Sequence, residues 1–110
     1  MAYSQQVLDR SFGALSHPAR RRVVEVLASG PATVGEASRG LGLSKAAITK
    51  HVRVLEEAGL VTRTVTGRTH LLRLVHPTFE APASWLDRQR ALWESKLNTI
   101  AEMIDEEQRG

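Results

Sequence analysis

The chain contains no cysteine, which excludes disulfides, thiolate metal ligands and thiol redox chemistry. Aromatic residues make up only 5% of its 110 residues, so the core has to be aliphatic. A single aliphatic core at this length is near the lower limit of self-sufficiency, where a second subunit commonly adds stability. No apolar run approaches the ~20 residues that a membrane-crossing helix requires. The opening MAYSQQVLDR lacks the charged, apolar and small-residue order of a secretory signal, and a cytoplasmic location is the default expectation. A glycine-rich phosphate loop is also missing, because Gly40-Leu41-Gly42 has no downstream glycine and lysine to complete one. No serine nucleophile lies at helpful spacing from a histidine, and no paired carboxylates sit in an apolar setting, so the chain is not expected to be an enzyme. The histidines at 17, 51, 70 and 76 are scattered, without metal-ligand spacing. No cofactor and no metal site are expected.

What is present is ordinary in bulk and uneven in detail. With 42% apolar and 25% charged residues the chain reads as one soluble globular domain, residues 1–110. Residues 1–76 carry 11 Lys and Arg against 5 Asp and Glu, whereas residues 77–110 carry 4 against 7. A basic body with an acidic end suggests that the body faces a polyanion.

Helical spacing of Val7, Leu8, Ser11, Phe12 and Leu15 predicts a first helix over 4–15. A second helix is expected in SHPARRRVVEVLASG, with Pro18 in its first turn and Gly30-Pro31 ending it. Arg20, Arg21 and Arg22 then form a solvated face, with an Arg21–Glu25 pair, or supply a phosphate contact. Thr33 and Glu36 make a capping box for a short helix that points Val34, Ala37 and Leu41 inward. Gly40 and Gly42 break it, Leu43 is expected to pack behind the break, and Ser44 caps the next helix. Two helices joined by a glycine turn, over 33–58, are a helix-turn-helix signature.

In SKAAITKHVRVLEEAGLV the residues Ile48, Val52 and Leu55 fall within a stripe about 60° wide. Ala46, Thr49, Lys50 and Arg53 lie opposite, with Lys45 flanking. Small residues let such a helix approach DNA closely, and long cations reach base edges or phosphates. Glu56 and Glu57 repel phosphates, so the amino-terminal half is the part expected in a groove. Arg53 has an internal competitor in Glu57, four residues on. His51 flanks this face, with a bridge to a neighbouring helix or a phosphate contact as its two readings.

Two strands follow over 60–75, separated by Thr66-Gly67. His70, Leu72 and Leu74 share one face of the second strand. Arg63, Arg68 and Arg73 make the hairpin basic. HPTFEAPASW is read as a connector, and a last helix over 82–107 carries Trp85, Leu86, Leu92, Trp93, Leu97, Ile100, Met103 and Ile104. So broad an apolar stripe needs a partner, either the first helix or a second subunit. Both tryptophans read as interface core or as the lining of an effector pocket.

The segments LSHPARRRVVEVL, LGLSKAAITKHVRVLEEAGLV and GRTHLLRL, at their spacing, resemble the ArsR-type (arsenic-repressor-like) family of transcriptional regulators. The resemblance implies a mainly helical winged helix-turn-helix fold in the order α-α-α-α-β-β-α. It also implies a homodimer built from the first and last helices and binding to a palindromic double-stranded operator as a repressor. Carried over residue by residue, it places DNA contacts on Ser44, Lys45, Ala46, Thr49, Lys50 and Arg53, and wing contacts on Arg63, Arg68 and Arg73. Metal-sensing members carry cysteines where this chain has TVGEA, or histidine and aspartate sets in the last helix. Here Thr33 and Gly35 occupy the first place, and residues 83–110 hold no histidine, which points to the metal-independent branch. Two other readings remain: a protein-interaction module, which would not need basic residues on both helix and hairpin, and an RNA binder, which would more often expose stacking aromatics.

Overall fold

A computed structural model describes residues 4–109 of the chain. The first helix, α1 (Gln5–Ala14), starts where the Ser4 hydroxyl accepts a hydrogen bond from the Val7 N–H. It buries Leu8, Ser11 and Ala14 and leaves Val7 exposed. Next, α2 (Pro18–Ala28) is capped by His17, whose Nδ1 accepts from the Ala19 N–H at 3.1 Å. Val23 and Leu27 point into the core, with Val24 and Val26 half-buried beside them.

Ala32–Thr33 forms a strand, β1, which the sequence did not announce because it is only two residues long. It pairs antiparallel with the third strand, Ala32 opposite Leu72 and Thr33 opposite Leu71. With β2 (Val61–Thr66) and β3 (Thr69–Leu74), the sheet therefore has three strands in the order β1-β3-β2 rather than the two of the expected hairpin. Thr33 also opens the short helix α3 (Val34–Ala37) through the capping box. Thr33 Oγ1 accepts from the Glu36 N–H at 3.1 Å, and Glu36 Oε1 accepts from the Thr33 N–H at 3.3 Å. The Thr33 hydroxyl also donates to Glu36 Oε1 at 2.9 Å, and this bond, followed by the one from the Thr33 N–H, holds the Glu36 carboxyl below its ordinary pKa. Leu43 does not pack behind the glycine break; it is exposed.

Helix α4 (Lys45–Glu57) sinks Ile48, Val52 and Leu55 into the core. It ends in a Schellman turn: the Leu60 N–H reaches the Leu55 carbonyl, the Gly59 N–H reaches that of Glu56, and Gly59 has φ +74°. That turn delivers Leu60, fully buried like Leu55, directly into the core. Strands β2 (Val61–Thr66) and β3 (Thr69–Leu74) then form the wing, in register from Val61–Leu74 to Thr66–Thr69. Gly67, at φ +61°, opens the two-residue loop with Arg68, as a type II′ turn requires.

The expected connector is structured. A 3₁₀ turn, His76–Phe79, leads straight into α5 (Glu80–Arg109), and Pro82 sits in the first turn of that helix, where its missing N–H costs nothing. At 30 residues, α5 is about 45 Å long and accounts for much of the molecule's 74 Å extent. Only its start is buried, at Ala81 and Pro82. The Trp85 ring meets Phe12 of α1 edge-on, with centroids 5.6 Å apart. Beyond that contact Leu86, Leu92, Trp93, Leu97, Ile100, Met103 and Ile104 are all exposed. No helix of the described residues is long and apolar enough to cross a membrane.

Candidate nucleic-acid interface

The site begins with α4, because burial of one side of this helix dictates what the other can offer. Ser44 accepts from the Ala47 N–H at 3.2 Å and fixes the first turn. With Ile48, Val52 and Leu55 sunk in the core, Lys45, Ala46, Thr49, Lys50 and Arg53 are all exposed. The Thr49 hydroxyl donates to the Lys45 carbonyl at 2.9 Å, so its proton is spent on the helix while its oxygen can still accept. The four ion pairs among the described residues include neither Lys50 nor Arg53. The expected competition between Glu57 and Arg53 is therefore absent, and both cations project into solvent without an ionic partner.

The wing's three arginines do not act as one surface. The register puts Val61, Arg63 and Val65 on the same side as Leu74, Leu72 and His70, and Thr62, Thr64 and Thr66 on the side of Arg73, Leu71 and Thr69. Arg73 thus lies on the outer face and Arg68 at the tip, both exposed. Arg63 turns inward. Its guanidinium grips Glu56 at 2.6 and 3.4 Å and donates to His70 Nδ1 at 3.0 Å. These contacts engage the guanidinium fork within the protein, on a side chain only 23% exposed. Between α4 and the wing runs an open groove of ≈ 680 Å³, with Lys45 and Thr49 on one wall, Arg68 and Thr69 on the other, and Arg63 and His70 also lining it.

The arginine run of α2 has a role that sequence reasoning missed. Arg20 donates from Nε to the Ala14 carbonyl at 2.7 Å and from Nη2 to that of Gly13 at 3.2 Å, and Arg21 donates to Leu15 at 2.9 Å. The cations that disfavour the start of α2 cap the end of α1, where the helix dipole welcomes them. The helix-surface pair is Arg22–Glu25 at 3.6 Å, not Arg21–Glu25. Arg20 also donates from Nη1 to His51 Nδ1 at 3.1 Å, and the His17 ring lies 4.3 Å from that of His51. His51 thus bridges α4 to α2. Because arginine cannot accept, His51 Nδ1 must be unprotonated here. Partial burial, followed by the charges of His17, Arg20 and Lys50, holds its pKa below the ordinary value.

A helix-turn-helix with a cation-studded outward face, beside a β-hairpin with a basic tip, defines the winged helix-turn-helix class of DNA-binding domains. Comparison with known proteins gives the same answer. Residues 15–64 match a family described as a helix-turn-helix domain. The chain is 37% identical over 99 residues to the HTH-type transcriptional regulator Rv2034 of Mycobacterium tuberculosis, covering 90% of each. It is 29% identical over 55 residues to the transcriptional repressor SdpR of Bacillus subtilis, covering 50% of this chain and 61% of that one. The crystal structure of an ArsR family transcriptional regulator, RHA00566, superposes with a TM-score of 0.79 at 35% identity, over 86% of this chain and 98% of that one. The chain belongs to the ArsR family of helix-turn-helix transcriptional regulators. It is a DNA-binding regulator rather than an enzyme.

Proposed function

We propose that the protein is a homodimeric repressor that reads a palindromic operator with the outward face of α4. Ala46 and Thr49 lie against base edges, Lys50 and Arg53 reach bases or phosphates, and Ser44 and Lys45 hold the backbone at the helix start. Arg68 at the wing tip and Arg73 on its outer face engage flanking phosphates. The observation that carries this reading is the division of α4, one side sunk in the core and the opposite side cationic and without ionic partners. Repression follows the example of SdpR, and a cytoplasmic setting accords with a protein that acts on the genome.

The dimer rests on α5. Leu86, Trp93, Leu97, Ile100 and Ile104 project within about 60° of one another on this helix. Nothing among the described residues covers them. Contiguous apolar surface on this scale marks an interface, and a two-fold pairing of α1 and α5 would present two α4 helices together. Hydroxyl-radical footprinting tests this on a duplex selected from a random library by the wild-type protein. Two protected windows about 34–36 Å apart, one helical turn, are expected; one window, or protection without sequence preference, refutes it.

A further inference from the structure

We propose that Arg63 is a positioning residue that locks the wing to the recognition helix through Glu56 and His70, and that it does not itself contact DNA. The inference rests on the DNA-binding reading above and gives Arg63, a wing contact implied by the family resemblance, a different role. Its basis is that three elements each contribute one side chain to a single knot. Glu56 comes from the last turn of α4, Arg63 from β2 and His70 from β3. Arg63 Nη2 lies 2.6 Å from Glu56 Oε1, Nε lies 3.4 Å from Oε2, and Nη1 lies 3.0 Å from His70 Nδ1. All three guanidinium nitrogens are thus engaged, a fork that only arginine can supply.

The surroundings favour a lasting link over a passing surface contact. The Arg63 and Glu56 side chains are only 23% and 31% exposed, unlike the three other ion pairs, whose partners are all more than half exposed. The hairpin beyond the knot has little other support. Val65 is exposed, as are all residues from Thr64 to Thr69. Whatever sets the angle of that arm against α4 therefore acts at its base, where Arg63 and His70 line the groove that Arg68 and Thr69 wall. The knot also neutralises Glu56, an anion on the helix that has to approach phosphates.

These roles give Glu56→Gln an effect opposite in sign to simple electrostatics. Removing an anion from a DNA-facing helix should tighten binding. If the knot orients the wing, the same near-isosteric change weakens it. The test uses the full-length protein and the selected duplex, titrated across a range of salt. Glu56→Gln and Arg63→Met are each expected to weaken binding roughly tenfold, with the double variant no weaker than either single one. Arg63→Lys, which keeps an ion pair with Glu56, should recover part of the loss. Arg63→Met should leave the slope of log affinity against log salt unchanged, whereas Arg68→Ala lowers it by about one phosphate.

A second readout needs no DNA. The cysteine-free chain accepts spin labels at unique sites, and a Thr66→Cys/Arg39→Cys pair reports the wing's distance from the helix-turn-helix. That distance distribution should broaden in Glu56→Gln and Arg63→Met while helical content is unchanged. Tighter binding by Glu56→Gln, a salt slope lowered by about one in Arg63→Met, or an unchanged distribution would each overturn the proposal. Unchanged affinity in Arg68→Ala and Lys50→Ala would instead refute the DNA-contact assignments, and the spin-label result would then decide the knot by itself.

Discussion

Trp93→Asp on α5 is the most demanding test of the dimer. Trp93 is 62% exposed in the single chain and lies at the middle of the uncovered stripe. A tryptophan presents about 250 Å², so covering this one removes roughly 150 Å² from water, worth about 4 kcal/mol at ~25 cal per Å². A two-fold interface contains the residue twice, which raises the upper bound to about 7.5 kcal/mol. At ~1.4 kcal/mol per decade that is about five decades in dissociation constant. Imperfect coverage and local adjustment reduce the figure, yet two aspartates forced into apolar surroundings add to it. A weakening of at least about three decades is expected. Sedimentation velocity at micromolar concentration should show the wild type at twice the 12.1 kDa chain mass and the variant at 12.1 kDa, with helical content by circular dichroism unchanged. A variant that sediments as an intact dimer would refute the reasoning, since the stripe would then face something other than a second copy.

Three further predictions concern the single chain. Leu55→Ala, at the centre of α4's buried side, should cost about 2–5 kcal/mol in urea unfolding; a loss under 1 kcal/mol would show that the packing of α4 does not fix its outward face. The Ser11 hydroxyl is buried without a hydrogen-bond partner among the described residues, so Ser11→Ala should leave stability unchanged or raise it by about 1 kcal/mol, and a clear loss would reveal a partner in the assembled protein. The lowered pKa of His51 means that the unfolded chain takes up this proton first on acidification. Its contribution is therefore complete above the ordinary value of 6.5 and is lost as pH falls below that value toward the lowered one. The wild type should lose more stability between pH 7 and 5.5 than His51→Asn, and equal losses would contradict it.

The recognition helix was legible because two independent patterns coincide in it: Ser44 in the cap position, and Ile48, Val52 and Leu55 at helical spacing. Either would be weak alone. Burial of that stripe then placed Lys50 and Arg53 outward without further information. Strand β1 was invisible for the opposite reason, since Ala32-Thr33 is too short to show alternation and owes its conformation to Leu71 and Leu72, about forty residues away. The same distance problem hid the duties of three arginines. Arg20 and Arg21 look like a solvated run until the end of α1 comes back against them. Arg63 looks like one more wing cation until the hairpin register turns it toward Glu56. Leu43 failed differently, because an apolar residue after a glycine break has no periodicity to fix its side.

The central claim is that the outward face of α4 reads DNA, and a quantitative mobility shift on the selected duplex tests it most directly. Lys50→Ala and Arg53→Ala, each forfeiting a contact worth about 1–3 kcal/mol, should bind at least roughly fivefold more weakly while keeping the wild type's unfolding midpoint and sedimentation. Wild-type affinity in both variants would contradict the account.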